Sequence, residues 1–128
     1  MSLRVISICS PDKISMNMFA SFLRNRLGKS YPIGELHSLM SKKSIELFIE
    51  SFLERTQGKA IFPFYAKRKI NVDPIVCVPQ KLIDVSDVVV WFKLYSTEMI
   101  MVKDEAGFKE LFESEWKEAV EKLGKIQP

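Results

Sequence analysis

Near the end of the chain two strand-like runs stand back to back, and a strongly amphipathic helical segment follows them. Val88-Val89-Val90-Trp91-Phe92-Lys93-Leu94 is rich in β-branched and aromatic residues, which suit a pleated, buried surface. Its apolar character is continuous rather than alternating, so both of its faces are expected to be covered. Tyr95-Ser96-Thr97 is a polar break of hairpin length, and Glu98-Met99-Ile100-Met101-Val102 reads as the returning strand. Asp104 then suits a helix N-cap, with Glu105 in the first turn where the helix dipole favours negative charge. Phe108, Leu111, Phe112, Trp116, Ala119, Val120 and Leu123 recur at steps of three and four and form one apolar stripe, most simply a core face. Gly124 ends this predicted helix.

The chain before this unit divides into similar pieces. Arg4 to Ser10 reads as a first strand, and Ser10-Pro11-Asp12 as a turn into a helix that carries Ile14, Met16, Phe19, Ala20, Leu23 and Leu27 and stops at Gly28. Glu35 to Leu39 fits either a short strand or a loop. Ser41 suits the N-cap of a second helix, with Ile45, Phe48, Ile49, Phe52 and Leu53 on one side and Gln57-Gly58 at its end. Lys59 to Ala66 reads as a strand, and its Pro63, lacking an N–H, implies an edge position or a bulge. Ile70 to Val78 reads as a further strand, and Gln80 to Asp87 as a loop or a single helical turn.

The order expected is therefore β-α-(β)-α-β-β-β-β-α. It describes an α/β or α+β domain: a single mixed sheet of about five strands flanked by three helices. The first half resembles a βα unit feeding a parallel pair, and the second half an antiparallel meander closed by a helix. At 128 residues the chain is expected to be one globular domain, 1–128. Met1-Ser2-Leu3 has the form of a vector-derived start, and on that reading the domain is excised from a longer chain.

Composition narrows the classes. Apolar residues make up 47% and charged residues 27%, ordinary for a globular protein. No apolar run approaches the roughly 18 residues of a membrane span, and Leu3 to Cys9 is too short for the core of a secretory signal. Cys9 and Cys77 both lie in apolar runs and are expected to be free thiols in a reducing, cytoplasmic setting. Residues 1–103 carry 15 Lys and Arg against 9 Asp and Glu, a balance of +6, whereas 104–128 carry 4 against 7, a balance of −3. A polyanion would thus have to bind away from the last predicted helix.

The chemistry-bearing motifs are few. One histidine, His37, and two distant cysteines offer no metal-ligand spacing, and no metal or cofactor is expected. Neither GxGxxG nor GxxxxGK[ST] occurs. Cys9 falls at the C-terminal end of the first predicted strand, before a helix N-terminus, where open α/β sheets bind ligands and where a thiol pKa can fall. A cysteine-phosphatase loop needs arginine six residues later, and Ser15 stands there. Cys9, Ser10, Asp12 and Tyr95 are candidate ligand contacts by position. Lys67-Arg68-Lys69, preceded by Phe64 and Tyr65, is a candidate nucleic-acid contact, although charges also collect at ordinary turns.

The final stretch, Met99-Ile100-Met101-Val102-Lys103-Asp104-Glu105 through Phe108, Phe112, Trp116 and Ala119, resembles the ending of the C-terminal effector domains of archaeal TrmB-type and related phospholipase-D-like transcription regulators. Val5 to Pro11, and the helix from Ser41 running into Gly58-Lys59-Ala60-Ile61-Phe62, are similar to other parts of such domains. The resemblance implies a non-catalytic sensor or dimerisation module that takes a small effector. It also implies DNA contact only through an upstream domain outside this chain. The phospholipase signature HxKxxxxD is broken, since Ser38-Leu39 follows His37. The function expected is thus an effector-binding or interaction domain rather than an enzyme, with a homodimer through Val88–Leu94 if that strand is an edge. The alternatives are a small enzyme centred on Cys9 and Asp12, and a nucleic-acid-binding module using Lys67, Arg68 and Lys69.

Overall fold

The computed structural model describes residues 4–66, 77–93 and 96–103. They form β1 (Val5–Ser10), α1 (Lys13–Leu27), β2 (Leu36–His37), α2 (Lys42–Arg55), β3 (Ala60–Tyr65), α3 (Gln80–Val85), β4 (Val88–Lys93) and β5 (Ser96–Val102). The five strands make one mixed sheet in the order β2-β3-β1-β4-β5. The first four run parallel, and β5 returns antiparallel to β4 across a register shift between Val89 and Val90. The mixed α/β sheet is the class expected from the sequence.

The pleat divides the core into two layers. Ile6, Ile8, Ile61, Val88 and Val90 face α1, where Met16, Phe19, Ala20 and Leu23 bury the helix stripe. Val5, Cys9, Phe62, Phe64, Val89 and Trp91 face the other way, against Ile45 and Ile49 of α2 and Leu82 of α3. Val88 to Trp91 are each fully buried, which explains why their run is apolar without alternation. Asp12 caps α1, Ser41 caps α2, and the φ of +80° at Gly58 lets the chain leave α2 while its N–H bonds to the Leu53 carbonyl at 2.9 Å.

Four expectations are corrected. The antiparallel meander is confined to β4 and β5: β3 and β4 both run parallel to β1, and α3 lies on the connection between them. Cys77 and Val78, expected to end a strand, instead form a turn into α3, while residues 70–76 lie outside the described residues. Pro63 is neither at an edge nor at a bulge; it sits in β3 between β2 and β1, paired with Ile8. Alternation explains its tolerance. Ala60 and Ala66 donate to Arg4 and Ser10 on the β1 side, whereas Ile61 and Tyr65 bond to Pro32, Gly34 and Ser38 on the β2 side. Pro63 shares the odd-numbered side, so its missing donor faces the two-residue β2 and leaves the β1 ladder intact. The strand Val88–Lys93 is likewise interior, between β1 and β5, so it offers no free edge for dimerisation. The helix expected from Asp104 onward lies outside the described residues.

Candidate functional site

The carboxyl ends of the parallel strands are the part of such a sheet where loops diverge and ligands can enter. Here β1 leads into α1 on one face, whereas its neighbour β3 leads toward α3 on the opposite face. The connections that leave these two parallel strands thus run to opposite faces, and their last residues, Ser10 and Tyr65, are register partners.

Three of the expected ligand contacts meet at this point, each committed elsewhere. Cys9 is fully buried toward α2 and α3, and burial, with a smaller contribution from neighbouring Cys77, pushes its thiol pKa strongly up. Such a thiol is poorly ionised and unsuited to nucleophilic attack. Its inward aim follows from the pleat, because Cys9 shares parity with Val5 on that face. Ser10 is also fully buried; its hydroxyl accepts from the Asp12 N–H at 3.1 Å and donates to the Asp12 carbonyl at 3.3 Å. Asp12 is exposed, but Oδ1 accepts from the N–H groups of Ile14 (3.1 Å) and Ser15 (3.3 Å) and Oδ2 from the Ser15 hydroxyl (2.8 Å). Ser10 and Asp12 therefore build the turn and start α1. Tyr95, Lys67, Arg68 and Lys69 lie outside the described residues. His37 is exposed at the end of β2.

A concave site opens on the α2 and α3 face of the sheet, between the N-terminal ends of α2 and α3. Its volume is about 390 Å³, within the range of about 300–1,000 Å³ usual for small-ligand pockets. Phe64 from β3, Ile45 from α2 and Val78 supply an apolar floor, with Met40 and Cys77 beside it. Lys42, Glu46, Gln80, Lys81 and Ser38 supply polar groups. Lys81 is held by Glu50 at 2.9 Å, and Gln80 donates to Asp84 at 2.8 Å, so the α3 side of the mouth is braced.

These lining residues come from three separated stretches, 38–46, Phe64 and 77–81, and from the sequence only Phe64 was drawn into a site, as an aromatic beside the basic tripeptide. The usable signals were Ser41 and Pro79, each just before a helix that begins at the cleft. Among the described residues no group of three His, Cys, Asp or Glu side chains is placed to hold a metal ion. Among them, too, no helix is long and apolar enough to cross a membrane. No family model, no curated protein and no solved structure matches the chain.

Proposed function

We propose that this chain is a non-catalytic effector-binding domain, of the kind that serves a transcription regulator, and that its effector enters the cleft between α2 and α3. The observation that carries this reading is the cleft itself: an apolar floor of Ile45, Phe64 and Val78 under a polar rim, at the carboxyl end of a parallel sheet. Such a site suits a small molecule with an apolar body and one or two polar groups. The resemblance of the opening strand and of the α2–β3 stretch to TrmB-type effector domains supports the same reading. Homodimerisation, DNA contact through an upstream domain and a cytoplasmic setting belong to the proposal. The enzyme alternative loses its main support, because Cys9 is buried with a raised pKa and Asp12 is occupied as a cap.

A thermal-shift screen with nucleotides, sugars and amino acids tests it. At about 100 times Kd a ligand adds roughly 2.7 kcal/mol. The expected result is a stabilising compound whose effect disappears in Met40→Trp, where the larger side chain fills the mouth. A panel without any hit, or a hit indifferent to Met40→Trp, would overturn the proposal.

A further inference from the structure

At the opposite end of the sheet from that cleft, four cations from four different places converge. Arg4 stands before β1, Lys29 follows α1, Arg55 closes α2 and Lys59 leads into β3. Together with Thr56 and Gln57 they line a second concavity of about 550 Å³. Among the described residues its lining contains no carboxylate. Among the described residues the ion pairs are Lys13–Glu35 and Lys81–Glu50, and none of the four cations has a carboxylate partner.

Asp87 acts at this end of the sheet through the backbone. Its Oδ2 accepts from the backbone N–H groups of Arg4 (2.8 Å) and Val5 (3.0 Å), so it holds the start of β1. Aromatic rings and backbone steady two of the cations. The Arg55 guanidinium lies 5.9 Å from the Phe52 ring centroid, with its Nε donating to the Ser51 carbonyl at 3.4 Å. The Lys59 ammonium lies 5.6 Å from the Tyr31 ring centroid. A ring face orients a cation without neutralising it.

Helix dipoles explain part of the cluster, since cations favour the C-terminal ends of α1 and α2. That accounts for Lys29 and Arg55. It does not account for Arg4 and Lys59, which arrive on neighbouring strands. Four like charges around one concavity repel one another unless an anion joins them. Two guanidinium forks favour phosphate oxygens, because each can donate two parallel N–H bonds. A concavity of this volume suits a compact ligand rather than a long strand, which calls for an extended basic groove.

We propose that Arg4, Lys29, Arg55 and Lys59 form a binding site for a small anion carrying two or more phosphate groups. The site is separate from the effector cleft and does not depend on it.

Isothermal titration of the full chain with inorganic tripolyphosphate is the test. The expected result is saturable binding at one site, weakening as salt screens the charges. Arg55→Gln and Lys59→Gln should each weaken it roughly tenfold or more, the effect of losing one charge-assisted contact. Lys59→Arg should keep most of the affinity, and Lys13→Gln, at the far end of the sheet, should leave it unchanged. Circular dichroism confirms that each variant is folded. Absence of saturable binding at low salt would overturn the proposal, as would an equal loss in Lys13→Gln. Tighter binding of a single-stranded oligonucleotide that spreads beyond these four residues would also overturn it, in favour of a nucleic-acid surface.

Discussion

The hydroxyls of Ser7 and Ser86 lie 2.6 Å apart and both residues are fully buried, joining the centre of β1 to the junction of α3 and β4. Each is the other's partner in an otherwise apolar layer. Ser7→Ala should therefore destabilise the fold by about 1–3 kcal/mol, because the Ser86 hydroxyl is left unsatisfied. The double variant with Ser86→Ala should cost less than the sum of the two single changes. Urea denaturation of all three proteins checks this, and strict additivity would show that the pair does not act as a unit.

The Asp12 carboxylate serves the first two N–H groups it meets and the Ser15 hydroxyl. Asp12→Ala should lower stability by about 1 kcal/mol, and Asp12→Asn by less, since an amide oxygen still caps. If instead a ligand identified for the α2–α3 cleft lost affinity in a folded Asp12→Asn protein, Asp12 would have a binding role as well.

Cys9 gives a pH dependence with a definite sign. Its folded pKa is raised by burial. Above about pH 8.5, the ordinary thiol value, the unfolded chain releases this proton while the folded chain keeps it. The folded state then binds more protons, so stability falls as pH rises. Below that pH both states keep the proton and stability does not change on its account. Tyr31, raised by burial and by Asp87 with Arg4 opposing, acts in the same direction at higher pH. Cys9→Ala should flatten the alkaline decline measured by denaturant unfolding between pH 7 and 10. In the native wild-type protein, Cys77 should react with a thiol reagent well before Cys9.

Gly34 is a packing position. A Cβ there would meet Phe62, Phe48 and Phe52 ring carbons at 3.1, 3.2 and 3.2 Å. Phe48 and Phe52 are stacked with centroids 5.6 Å apart, and Phe52 lies 5.5 Å from Phe62. Three rings would have to shift together, so Gly34→Ala should cost about 1–3 kcal/mol. A thermal midpoint equal to wild type would show that the rings yield freely.

Much of the fold could be read from local pattern. Val5 to Ser10 and Val88 to Trp91 announce strands through their apolar runs, and Asp12 and Ser41 announce the helices they cap. The antiparallel return of β5 on β4 was legible from the short break between them, but the parallel pairing of 60–65 and 88–93 with β1 was not, because the same residues serve a parallel or an antiparallel ladder equally well. Helix α3 is under two turns long, too short for its periodicity to stand out. The position of the turn at Ser10-Pro11-Asp12 was legible, but the aim of Cys9 depended on pleat parity against a core not yet defined. The α2–α3 cleft and the four-cation concavity were out of reach for a plainer reason: their residues meet only after folding.

Strand β1 holds its two neighbours from distant parts of the chain. Ile6 pairs with Ile61 on one side and with Val88 on the other, while Asp87 fastens Arg4 and Val5. During synthesis the first strand must wait for both. Once Ala60–Tyr65 has left the ribosome, the β1–β3 pair can form, but the other side of β1 still displays an unpaired, apolar ladder edge. That edge closes only when Val88–Trp91 arrives. A chain interrupted before Asp87 would carry the same exposed edge permanently, and self-association is its expected fate.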